Sequence, residues 1–491
     1  MIQVKSIVQE KNNNNLYLFI NLVFSFFPIS FILGSLIVNL NLLLFCCLGI
    51  YYLKSKILTT KFDFILKIIF LFFFIVFFST ALSLVKTLYF EGYDSANVTS
   101  TLARFTKSIL FFRYFLLLLV IYLLSKFDIL RFKYFLLAVV FASILLSLDI
   151  IYQHIFGLDI IGLKGLDFRS SGFFGDENIA GGYLLRFSFF TIFFTIITFK
   201  NNNFAKFIST VVVICILGIG LFFTGNRMPL ILFILGLFLV FSLDLKIKKI
   251  ILVSLVLLSL LLTFIISSNE PYKRHLSNHY SSFIEAIENT FLTPFDINIW
   301  KGVGIQSWTR TKRVDETEIS LGQKKFFHTV KFKSNYLRLA LTAIDTWKPN
   351  KIFGNGLKSF RVDCGKLATE SAVFGKNLVN LGEEQIPDKK NRLCSTHPHN
   401  YYFEILTETG IIGLIIASII SLLFIVFIFK NIKFMKQISI ENYILLSAII
   451  SLFLETFPLR STGSLYTTNN ATYIILIGSI ILSYKDLWRV K

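Results

Sequence analysis

The chain has 491 residues, of which 55% are hydrophobic, 57 are Phe and only 16% are charged, and its mean hydropathy is +0.69. That is more apolar surface than a soluble core can bury, so the bilayer must be its solvent. The net charge of +20 does not mark a nucleic-acid binder, because the cations lie in short runs between apolar segments, where the positive-inside rule collects them.

Met1 to Asn15 is polar and carries no short apolar region ahead of a cleavage site, so the first apolar segment is expected to be a retained span. At roughly twenty residues per crossing the sequence predicts about twelve spans, about nine of them before the large polar segment. They begin near Leu16, Leu36, Phe64, Phe105, Tyr134, Asn178, Phe207, Met228, Ile250, Glu408, Tyr443 and Tyr473. The first two are separated on length alone. The expected fold is an all-α polytopic integral membrane protein: residues 1–267 form a transmembrane bundle, 268–400 one large, partly helical loop domain, and 401–491 three further spans. An even number of spans puts both termini on one side. Lys54, Lys56, Lys126, Arg131, Lys246, Lys248 and Lys249 fall on that side, which makes it cytoplasmic and the large loop external.

Within the loop domain, Tyr336 to Ile344 has helical periodicity, Lys348-Pro349-Asn350 ends it, and Gly354-Asn355-Gly356 reads as a turn. Residues 315–318 and 324–325 read as solvated surface. Cys46, Cys47 and Cys215 lie in apolar spans and read as packing residues. Cys364 and Cys394 bracket a polar stretch without Cys-x-x-Cys spacing, which speaks against zinc and, outside the cytoplasm, for a disulfide.

Three polar features fall on the external side. The first is Phe168-Arg169-Ser170-Ser171-Gly172-Phe173-Phe174-Gly175-Asp176-Glu177-Asn178-Ile179-Ala180-Gly181-Gly182, and the second is the tight turn Thr224-Gly225-Asn226-Arg227-Met228-Pro229. The third runs from Thr396 to Gly413, where a polar segment becomes an apolar helix: His397 and His399 precede Asn400, a good N-cap, and Asn400, Glu404 and Glu408 recur on one helix face. Gly410 and Gly413 remove side-chain bulk further along that helix, which lets a neighbouring helix approach. Arg113 and Arg186 lie inside spans, where a charge usually faces a cavity or a partner. No Asp-x-Asp occurs in the external segments, and no Gly-x-x-x-x-Gly-Lys-Ser/Thr loop is present, so neither metal-dependent transfer nor ATP drive is indicated.

His399-Asn400, then nine residues, then Gly410-x-x-Gly413, together with the Arg169 and Arg227 motifs in the same order, resembles the bacterial O-antigen ligase family of the O-antigen ligase/polymerase superfamily. Leu414 departs from the small or β-branched residue that ligases often carry after the second Gly. The resemblance implies a metal-independent, inverting glycosyltransferase that needs no cofactor and works at the periplasmic face of the inner membrane. Its donor would be a polyprenyl-diphosphate-linked glycan and its acceptor lipid A-core or, in a polymerase, the growing lipid-linked glycan. On this reading Arg169 and Arg227 neutralise the diphosphate and His399 is the base. His397, Asn400, Glu404, Glu408, Arg113, Arg186 and Arg338 are expected to bind substrate or to orient the others. A twelve-span flippase of lipid-linked oligosaccharide is the non-enzymatic alternative, but it would not need three polar motifs gathered on one face.

Overall fold

The computed structural model describes residues 15–54, 56–59, 62–90, 95–165, 169–175, 177–243, 247–268, 335–366, 370–371, 392–435 and 439–484. Residues 315–318 and 324–325 lie outside this set. Every apolar segment expected from the sequence is a helix. In chain order these are α1 (Asn15–Ser25), α2 (Phe27–Leu33), α3 (Ser35–Leu53), α4 (Phe64–Phe90), α5 (Ser95–Lys126), α6 (Phe132–Phe156), α7 (Ala180–Thr198), α8 (Asn203–Phe223), α9 (Arg227–Ser242) and α10 (Lys248–Ser267). After two short loop-domain helices, α11 (Asn335–Trp347) and α12 (Phe360–Asp363), come α13 (Tyr401–Met435), α14 (Ile440–Glu455) and α15 (Thr468–Ser483).

Among the described residues, eight helices are long and apolar enough to cross a membrane, and the bent pair α1–α2 makes a ninth. The sequence-based count of twelve exceeds this because α9, α14 and α15 have only 16 residues each. At 1.5 Å per residue each reaches about 24 Å, short of a hydrocarbon core of about 30 Å. The shortfall has a direction. Arg227 at the start of α9, Glu455 at the end of α14 and the Thr467–Asn470 start of α15 all border one cavity, so one end of each of the three short helices faces it.

The central span is α7, 78% buried, packed against α6, α8, α9 and α14. By contrast α13 is only 17% buried, lies against α4 and turns an apolar flank outward, as a lipid-facing helix should. The described part of the loop domain is small. Leu339 and Ala343 of α11 pack on Phe360, Cys364, Leu393 and Cys394, a two-residue strand Glu370–Ser371 pairs in parallel with Leu393–Cys394, and the Cys364 and Cys394 sulfurs are bonded across a Cα separation of 5.1 Å.

This unit packs on Phe403 of α13 and is tied to that helix by main-chain hydrogen bonds. The helix breaks at Gly410, whose φ is 68°, and the loop 351–356 completes the freed hydrogen bonds. Ile411 N donates to the Lys351 carbonyl at 2.9 Å, Asn355 N to Thr407 O at 2.9 Å and Gly356 N to Glu408 O at 2.9 Å. At Gly354 (φ 71°) a Cβ would stand 2.5 Å from Gly410 N, and one at Gly410 would overlap the Ile352 carbonyl. Two glycines therefore face each other because two main chains cross there. The expected partner of Gly410 was a helix, and the observed one is the Gly354-Asn355-Gly356 turn, which also touches α4: Leu357 N donates to Thr80 Oγ1 at 2.9 Å.

Candidate active site

The cavity bordered by these helix ends measures about 1040 Å³. Its wall gathers residues from all three external motifs: Arg169, Asn226 and Arg227, and His397 with His399. Glu177, Arg186, Arg361, Glu455 and Arg460 complete the charged lining.

His399 sits where the loop turns into α13. Asn400 caps that helix, its Oδ1 accepting from Tyr402 N at 2.9 Å and Phe403 N at 3.3 Å, while its Nδ2 donates to the Pro458 carbonyl at 2.7 Å. His399 itself has φ 55°, a left-handed conformation that a non-glycine residue adopts only when its surroundings hold it there. Here the hold is Thr462: its N donates to the His399 carbonyl at 2.9 Å, and its carbonyl lies 3.2 Å from His397 Nε2. The two imidazole centroids are 4.1 Å apart, and His399 Nε2 is 3.4 Å from Ser395 Oγ. Burial disfavours the imidazolium of both. It lowers His399 from its ordinary range, the Thr462 carbonyl partly offsetting this, and pushes His397 down to about 4, with the neighbouring His399 acting in the same direction. Both rings are therefore neutral near pH 7, and a neutral imidazole can accept a proton.

Arg169 follows a loop folded over α6. Asp149 accepts from Ile160 N at 2.9 Å, and Gln153 accepts from Gly172 N at 2.9 Å while donating to the Leu163 carbonyl at 3.1 Å. Ser170 N donates to the Phe223 carbonyl at 2.9 Å, which ties this loop to the end of α8 just before the Arg227 turn. Arg169 and Arg227 are both exposed to the cavity and close enough to feel each other's charge.

Among the substrate-binding candidates the structure divides sharply. Arg186 lines the cavity, but its fork grips Glu455, with Nε–Oε2 at 2.9 Å and Nη2–Oε1 at 2.6 Å, and it also reaches Asn470 Oδ1 at 2.6 Å. Glu404 and Glu408 are buried and accept from backbone amides, Leu465 N at 2.6 Å and Lys358 N at 2.7 Å. Arg338 is buried inside the loop-domain unit, its Nη2 donating to the Arg392 carbonyl at 3.2 Å. Arg113 bonds Tyr114 OH at 2.7 Å and packs over that ring, away from the cavity.

The sequence reading missed Glu455, Arg460 and the 460–467 loop that braces the histidines. Glu455 was legible in principle: an acid inside a span demands a partner, and Arg186 is a cation inside another. Among the described residues no three His, Cys, Asp or Glu side chains group as metal ligands. No curated protein matches the chain. A family model described as O-antigen ligase matches residues 210–418, the stretch that carries Arg227, the loop-domain unit and His399, so over that stretch the chain is similar to the O-antigen ligase family.

Proposed function

We propose that this protein is an O-antigen ligase-type glycosyltransferase that moves a glycan from polyprenyl diphosphate to lipid A-core at the periplasmic face of the bacterial inner membrane. The observation that carries the reading is the convergence of a neutral, braced imidazole and two exposed guanidiniums on one cavity, at the end of the bundle where the cation distribution predicts the periplasm. As the anomeric bond breaks, negative charge develops on the diphosphate, and Arg169 and Arg227 offer planar forks that neutralise it. His399 takes the proton from the acceptor hydroxyl as that oxygen attacks the anomeric carbon from the opposite face, so the product is inverted.

The test is single-turnover transfer by purified protein, with lipid-linked glycan as donor and either lipid A-core or a second lipid-linked glycan as acceptor. Mass gain on lipid A-core supports the ligase reading; gain only on the lipid-linked glycan makes the enzyme a polymerase; donor binding without transfer to either makes it a flippase. His399→Ala should lower transfer roughly 10² to 10⁴-fold with donor binding nearly intact, and undiminished transfer by this variant removes the base assignment.

A further inference from the structure

Arg460 belongs to none of the motifs that carried the family resemblance and lies beyond the stretch matched by the family model, yet it is built into the cavity wall. Its side chain is only 7% exposed. Nη1 donates to Glu455 Oε2 at 2.6 Å and to the Leu454 carbonyl at 3.2 Å. Nη2 makes no hydrogen bond among the described residues and stands 3.8 Å from the point where a Cβ on Gly182 would be. Gly181, one residue earlier and so about 3.8 Å away along the chain, is covered by a different group: a Cβ there would lie 2.9 Å from Asn226 Cβ and 3.0 Å from its Nδ2. Asn226 immediately precedes Arg227. The first turn of α7 is thus touched at Gly181 by the turn that carries Arg227 and at Gly182 by the guanidinium of Arg460. The charge balance agrees, because one carboxylate, Glu455, is shared by two guanidiniums, Arg186 and Arg460, which leaves surplus positive charge at the wall.

We propose that Arg460 is a further anchor for the donor's leaving group: Arg169 and Arg227 hold one phosphate, Arg460 Nη2 beside Gly182 holds the other, and Glu455 is the positioning residue that fixes the Arg460 fork. This rests on the reading of the donor as a polyprenyl diphosphate. It predicts that the site prefers two phosphates to one, and that the preference resides in Arg460.

The experiment measures binding of polyprenyl diphosphate and of polyprenyl monophosphate of the same chain length to the purified full-length protein in lipid nanodiscs. The wild type should favour the diphosphate. Arg460→Gln should cut that preference by about tenfold or more while barely changing monophosphate binding, since one charge-assisted contact is lost from one phosphate only. Arg460→Lys, which keeps the charge without the fork, should recover only part of it, and Glu455→Gln should reduce the preference less than Arg460→Gln does. A folded Arg460→Gln protein with an undiminished preference overturns the proposal. So does failure of both Arg460 variants to fold, which would make Arg460 a clamp on Glu455. A wild type that binds no polyprenyl diphosphate overturns the donor reading itself.

Discussion

The proton-accepting state of His399 is set by its burial, and pH is the perturbation that tests this directly. Both imidazoles bind protons less readily here than in an unfolded chain, where each would titrate near 6.5. For His397 the displacement from 6.5 to about 4, at about 1.4 kcal/mol per unit, makes its protonation in the folded protein about 3 kcal/mol harder than in the open chain. His399 moves in the same direction. With the rings 4.1 Å apart, a second proton would also meet the first one's charge. The kcat/KM for transfer should therefore rise with a single deprotonation whose midpoint lies below 6.5, and His397 should add no second limb until the pH approaches 4. Stability follows with a definite sign. Between 6.5 and about 4 the unfolded chain binds more protons than the folded one, so stability is complete above this window and declines as pH falls through it. Single-turnover rates and thermal unfolding recorded side by side from pH 4.5 to 8.5 check both statements. An acidic limb centred at or above 6.5 would refute the argument, because it would mean that the cavity does not favour the neutral ring.

Replacing Arg169 or Arg227 by Lys should weaken donor binding and transfer by roughly tenfold or more, since a point charge does not supply the planar fork, and equal binding and rate in both variants would return these residues to headgroup contacts at the membrane surface. Mass spectrometry of unreduced peptides should recover Cys364 linked to Cys394, and for a sequence separation of 30 the chain-entropy model gives the link about 3 to 4 kcal/mol of stabilisation; two free thiols in the native protein reject it. Gly354→Ala must both hold a positive φ and push its Cβ off the α13 backbone, at a cost of roughly 2 to 4 kcal/mol, so it should lower the unfolding temperature measurably, and an unchanged unfolding curve would contradict the crossing of the two main chains.

The apolar periodicity was legible because a bilayer imposes one rule on every span, and each of the twelve starting points falls in or beside a helix. Span count was less legible: hydropathy does not reveal that α9, α14 and α15 stop short, since their shortening is a matter of where the chain turns at the cavity. The Arg169, Arg227 and His399 motifs were legible as residue types in order. Their convergence was not, because it depends on contacts between residues far apart in the chain, such as Ser170 on Phe223 and His399 on Thr462. Arg338 illustrates the opposite failure. An arginine opening an external helix reads as a ligand for substrate, but its guanidinium serves the carbonyl of Arg392, a long-range pairing that no local pattern announces. Glu455 pairs with Arg186 across 269 residues and Arg460 lies in the loop beyond α14, so no local pattern marks either.

The acids on α13 explain how so precise a place is specified for a histidine on a loop. Two irregular segments flank His399, the 351–361 turn region on one side and the 460–467 loop on the other, and neither has a regular ladder to satisfy its own amides. A buried N–H left unpaired costs about 1 to 3 kcal/mol, so each segment must find an acceptor or not dock at all. Glu408 accepts from Lys358 N and Glu404 from Leu465 N, one helical turn apart on the same face. A carboxyl oxygen is a good acceptor for this task, and its spacing on a helix is rigid, so the relative height of the two segments is fixed by the four-residue step between Glu404 and Glu408. Asn400, a further turn back, fixes the start of the helix and so the position of the preceding His399. The face that reads in the sequence as a run of polar residues entering the membrane is therefore a bracket: it aligns Arg361 from one side and Arg460 with Thr462 from the other around an imidazole whose own backbone is held in a conformation it would not adopt alone.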